Sequence, residues 1–175
     1  EFAKRAGTEN VAGIAGMAFA LELASSERET QAAGIGALRD RLEAIACERL
    51  GGIRVNGAGA VRLPNNLNLG LLGVESDRLI ASLDMNGLAV SAGSACASGV
   101  VEPSHVIAAL GLAPEWTRGV LRLSLGRSTT EEEITRAGEI LVRTVEGMRE
   151  AFGFSKQAER GIVAPRPGIS GGGRS

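Results

Sequence analysis

The stretch Ser91–Gly99, SAGSACASG, sets one thiol among the smallest side chains available. A structural cysteine packs like a small hydrophobe among large apolar neighbours, and the sequence around Cys96 offers none. Cysteine reacts as the thiolate, and its free pKa of about 8.5 falls near cations or helix N-termini. Small residues keep such a thiol exposed and let its loop travel, and Gly93 and Gly99 admit unusual backbone angles. The pattern reads as a nucleophile on a loop, the alternative being an unreactive surface cysteine. Cys47, in LEAIACERL, falls on or beside the apolar face of a helix and reads as packing. The two cysteines show neither a CxxC spacing nor companion histidines, so no zinc site is expected. A thiol redox sensor ranks last, because it needs a resolving cysteine and Cys47 reads as buried.

Three further positions could contribute. Arg122 lies in GVLRLSLG, where Val120, Arg122 and Ser124 alternate with Leu121, Leu123 and Leu125. On such a strand it faces solvent or a polar cleft, and its planar fork suits a bidentate grip on a carboxylate. The bland reading is a surface arginine whose stem lies on apolar neighbours. Gly7-Thr8 at a helix start could hold a phosphate through the hydroxyl and free N–H groups, or could serve as an ordinary cap. His105, the one histidine, reads as a half-exposed helical residue rather than a partner for Cys96.

The elements that must position these residues are legible from periodicity. TENVAGIAGMAFALELA carries Val11, Ile14, Ala15, Ala18 and Leu21 or Leu23 at helical spacing and reads as a buried helix. A second helix is expected at about Thr30–Leu50, with Leu38, Leu42, Ile45, Ala46 and Leu50 on one face, ended by Gly51-Gly52. IRVNGAGAVRLPNNLNLGLLG reads as two short strands joined by turns, and ESDRLIASLDMNG as a helix closed by Asn86-Gly87. LAVSAG reads as a strand leading into the cysteine loop. Pro103 opens a helix through SHVIAALGL that Gly111 stops. After the Arg122 strand, STTEEEITRAGEILVRTVEGMREAF begins with a capping box at Thr129 and Glu132 and keeps Ile134, Ala137, Leu141, Val145, Met148 and Phe152 on one side. From Ser155 the Gly-, Pro-, Ser- and Arg-rich composition predicts a disordered tail.

The totals set bounds on partners. With 175 residues, 44% hydrophobic and 22% charged, the chain fits one globular domain with a tail. A net charge of -1 provides no basic field for nucleic acid or anionic lipid. No apolar run approaches the roughly 18 residues of a spanning helix, and the cysteine usage and N-terminus predict a cytoplasmic protein. The two lysines, Lys4 and Lys156, lie near the chain ends. The abrupt Glu1-Phe2 start reads as a fragment boundary.

Several segments together resemble the pyridoxal-phosphate-dependent cysteine desulfurases, in particular the NifS and IscS branch. RAGTENVAGIAGMAFAL resembles that family's Arg-x-Gly-Thr segment and following helix, SAGSACASGVVEPSHVIAALGL its active-site cysteine loop, and VLRLSLGRSTTEEEI its C-terminal strand and capping turn. The likeness runs from about Arg5 to Phe152. It implies that Cys96 attacks the sulfur of cofactor-bound L-cysteine and becomes a persulfide, with L-alanine released. It further implies that Arg122 holds the substrate carboxylate, and that Thr8 bonds the phosphate of pyridoxal 5'-phosphate across a homodimer. The sulfur then passes to an iron–sulfur scaffold protein or another acceptor, and small residues around Cys96 would let it visit both sites.

The lysine that anchors the cofactor in that family, the histidine beside its ring and the aspartate facing its nitrogen precede this region and have no counterpart here. The resemblance thus implies the C-terminal portion of such an enzyme, unable to desulfurate cysteine alone. The expected architecture is α+β, like the small C-terminal domain of fold-type I pyridoxal enzymes, with helices packed on a short, mainly antiparallel sheet. Residues 1–26 would join a missing large domain and leave apolar surface exposed, 27–154 would form the small domain, and 155–175 the tail. The competing function is a sulfur-carrier or interaction module that exposes Cys96 without catalysis of its own.

Overall fold

The computed structural model describes residues 7–92 and 105–154. In chain order these form α1 (Val11–Arg49), β1 (Ile53–Val55), β2 (Asn66–Leu71), α2 (Ser76–Met85), α3 (His105–Ala109), α4 (Pro114–Thr117), β3 (Val120–Ser124) and α5 (Glu131–Ala151). The strands make one antiparallel sheet in the order β1-β2-β3. The fold is α+β.

Alternation along the strands decides which side is covered. Leu67, Leu69 and Leu71 of β2 and Leu121 and Leu123 of β3 are buried in the core. Over them lie Leu42 and Ala46 from α1, Leu79 and Leu83 from α2, and Ile134, Leu141 and Val145 from α5. A Cβ at Gly138 of α5 would stand 2.6 Å from Ile45 Cγ2, so the missing side chain is what lets α1 and α5 come this close. Arg149, buried near the end of α5, donates to the carbonyls of Leu72, Gly51 and Gly52 at 2.9, 2.9 and 3.2 Å, and so ties the last helix to the ends of β1 and β2.

Several sequence expectations need correction. The two helices expected before residue 50 are one continuous helix of 39 residues. Neither Pro nor a Gly pair interrupts Ser25-Ser26-Glu27-Arg28, so helical hydrogen bonding propagates through polar but tolerated residues. The first half of α1 is not buried: Val11, Ile14, Met17, Phe19, Leu21 and Leu23 are 37–70% exposed. The capping box falls one residue later than expected, at Thr130 and Glu133. Thr129 instead accepts from the Gly126 N–H at 3.0 Å, closing the turn before the helix. LAVSAG contributes a single bridge, Ser91 to Arg122, rather than a strand among its described residues. The sequence pattern does not predict the short α4, opened by Pro114; Gly111, at φ 61°, closes the turn after α3 as expected.

Candidate functional site

Arg122 is half-buried in the middle of β3, while its neighbours Leu121 and Leu123 are sealed in the core. Directly opposed residues of antiparallel strands share a face. Arg122 is opposed to Asn68 of β2 on one side and to Ser91 on the other, the latter through Arg122 N–H to Ser91 O at 2.6 Å and Ser91 N–H to Arg122 O at 3.1 Å. Asn56, just beyond β1, donates its N–H to Asn68 O at 2.9 Å and its side-chain Nδ2 to Asn68 Oδ1 at 2.7 Å. Asn56, Asn68, Arg122 and Ser91 therefore form one polar row across the sheet on the face away from the leucine core. Asn56 is only 7% exposed and its Oδ1 has no hydrogen-bond partner among the described residues. Farther along the same face Trp116 of α4 sits beside Gly70, and Arg54 lies over the indole at 5.6 Å.

Sequence alternation places Arg122 and Ser124 opposite the leucines, but does not by itself single out the asparagines of this row. NLNLGL carries the signal, since Asn66 and Asn68 alternate with Leu67 and Leu69. Which asparagine lies beside Arg122 depends on strand register, which periodicity alone does not reveal.

Thr8 stands elsewhere. It is exposed, just before α1, with Gly7 at φ 96° preceding it. The helix cap is Asn10, whose side chain accepts from the Gly13 N–H at 3.0 Å, so the ordinary capping role does not fall to Thr8. The first residue of α1 with appreciable burial is Glu27, ion-paired to Arg127 at 3.1 Å. At a rise of about 1.5 Å per residue, the helix between Asn10 and Glu27 carries Thr8 roughly 25 Å beyond the packed body. The structure does not bring Thr8 and Arg122 together within one chain.

Cys96 lies outside the described residues, as do Pro103 and the 155–175 segment expected to be disordered. His105, the first residue of α3, is exposed. Cys47 corrects the sequence reading: it is at the surface rather than in the core. Partial enclosure, then the carboxylates of Glu43 and Glu48, push its thiol above the usual cysteine range. Among the described residues no group of three or more His, Cys, Asp or Glu could hold a metal ion, and no helix is long and apolar enough to cross a membrane.

The chain belongs to the aminotransferase class-V family, whose sequence profile matches residues 3–137. It is 43% identical over 152 residues to the cysteine desulfurase IscS of Clostridium botulinum strain Hall, covering 86% of this chain and 38% of that protein. It is 41% identical over 154 residues to IscS of Dictyoglomus turgidum, covering 88% of this chain and 39% of that one. The chain thus spans less than two-fifths of the length of these curated relatives. Among solved structures, a NifS-like protein from Rickettsia africae superposes with a TM-score of 0.66 at 24% identity, over 83% of this chain and 36% of the other. Another NifS-like protein gives 0.62 at 26% identity, over 86% and 36%.

Proposed function

We propose that this chain works as the C-terminal part of a cysteine desulfurase, taking sulfur from L-cysteine as a Cys96 persulfide and releasing L-alanine. The observation that carries the reading is the bridge between Arg122 and Ser91, in a chain 43% identical to an IscS protein. It sets the residue suited to gripping a carboxylate beside the point from which the backbone runs on to Cys96. Cys96 is five residues on from Ser91, a tether of roughly 17 Å at full extension, so the thiol stays within reach of whatever Arg122 binds. Sulfur delivered to Cys96 then goes to an iron–sulfur scaffold or another acceptor.

Such a reaction uses pyridoxal 5'-phosphate, which supplies an electron sink for the amino acid. The described residues fit parts of that cofactor's surroundings. Thr8, exposed at a helix N-terminus and not spent on capping, offers a hydroxyl where the helix dipole favours phosphate, and Arg122 offers a carboxylate fork. They do not fit a whole site, because the described residues contain no lysine and Thr8 stands apart from Arg122. We read Thr8 as serving the pocket of a second subunit in a homodimer. Residues 1–26 join a larger cofactor domain, 27–154 form the small domain and 155–175 the tail, in a cytoplasmic enzyme.

The test uses two proteins. The purified 175-residue chain, mixed with pyridoxal phosphate and L-cysteine, should retain no cofactor absorbance and release no alanine. The same chain joined behind a lysine-bearing pyridoxal phosphate domain should release alanine, and Cys96→Ser should abolish the persulfide seen by mass spectrometry. Steady alanine production by the chain alone overturns the division of labour. An unchanged persulfide in the Cys96→Ser protein overturns the role of the thiol.

A further inference from the structure

The polar row beside Arg122 contains an amide whose orientation is fixed by a neighbour. Asn68 Oδ1 accepts from Asn56 Nδ2 at 2.7 Å. That bond turns the Asn68 NH2 group away from β1, on the face it shares with the directly opposed Arg122. No other side-chain hydrogen bond of Asn68 occurs among the described residues. Asn56, in turn, keeps a buried Oδ1 without a partner among the described residues. A buried polar group left unsatisfied is uncommon and marks a place where fold stability is given up for another purpose.

We propose that Asn68 is a second ligand for the carboxylate of an amino-acid substrate, donating from Nδ2 beside the Arg122 guanidinium, with Asn56 as the positioning residue that sets its amide. The inference rests on Arg122 being the carboxylate site. Cβ atoms of directly opposed residues lie about 5 Å apart, so a carboxylate gripped by the guanidinium comes within reach of the amide. No covalent change is involved, only a hydrogen bond to an anionic acceptor, which is stronger than one between neutral groups.

The experiment reads the Arg122 Nε–H resonance in 15N-labelled chain, assigned by its loss in Arg122→Lys, during titration with sodium acetate against sodium chloride at equal ionic strength. The wild-type resonance should shift saturably with acetate and not with chloride. Asn68→Ala should raise the half-saturating acetate concentration about tenfold, the size of one hydrogen bond to a charged group. Asn68→Asp, nearly isosteric, should abolish the shift, because its own carboxylate would occupy the guanidinium. Asn56→Ala should weaken binding less than Asn68→Ala. Thermal melts of each variant identify any that fail to fold, and Asn68→Ser then replaces it. If wild-type chain responds but both Asn68→Ala and Asn68→Asp titrate like wild type, the role of Asn68 is refuted while the reading of Arg122 stands. If the wild-type resonance does not move, both fall.

Discussion

Cys47 lies on the exposed side of α1, where partial enclosure first, and then the carboxylates of Glu43 one turn before it and Glu48 beside it, oppose loss of its proton. A thiol whose pKa is raised carries less thiolate at any pH below that pKa, and the thiolate is the reactive form. Alkylation of Cys47 by iodoacetamide should therefore be slower than that of a free cysteine peptide at neutral pH, and its rate-versus-pH midpoint should lie higher; Glu43→Gln should move that midpoint down. A curve coinciding with the free peptide would remove the argument. Gly119 makes a different demand at the same scale. An ideal Cβ there would lie 2.1 Å from the Leu71 carbonyl oxygen, which cannot yield as a flexible side chain can. Gly119→Ala should cost at least about 2 kcal/mol, seen as a lower denaturation midpoint.

The α5 capping box shows what local pattern conveys and where it stops. Thr129 and Thr130 are followed by three glutamates, Glu131 to Glu133, so the threonine-then-glutamate motif fits two frames one residue apart. The turn decides between them, because Thr129 is engaged by the Gly126 N–H and Thr130 is left to accept from Glu133 N–H at 3.2 Å. Thr130→Ala should destabilise the fold by about 1 kcal/mol in chemical denaturation, with Thr130→Ser near neutral. An equal loss in Thr129→Ala and none in Thr130→Ala would contradict this geometry. The LAVSAG segment failed as a strand for a related reason. Its composition suits a strand, yet among its described residues only Ser91 pairs with another strand, and strand pairing depends on a neighbour rather than on propensity.

Across the molecule, α1 divides into a half that packs and a half that projects. The apolar residues of the projecting half surround the helix rather than forming one stripe, a distribution suited to burial on several sides. It holds together here through its Asn10 cap and alanine-rich composition. Ile14→Ser with Phe19→Ser should leave the unfolding free energy within about 0.5 kcal/mol of wild type, since neither residue touches the core. By contrast Leu141→Ala, in the core, should cost 2–5 kcal/mol on the usual scale of about that size for buried leucines. Sedimentation velocity on the same double variant should show less self-association than wild type, as expected if the arm serves a second subunit. Equal losses of stability for arm and core substitutions would show the arm to be part of the packed body.

Periodicity alone determines much of this protein: the β2 and β3 strands, α2, α5, and the alternation that sets Arg122 against three leucines. Those are properties of neighbouring residues, and the physics behind them acts over a few positions of chain. The long α1, the surface location of Cys47 and the polar row of Asn56, Asn68, Arg122 and Ser91 depended on the tertiary structure. Burial and strand register are set by residues far apart in sequence, and a shift of one position in either strand would have turned Asn68 toward the leucine core and left Arg122 beside a different neighbour.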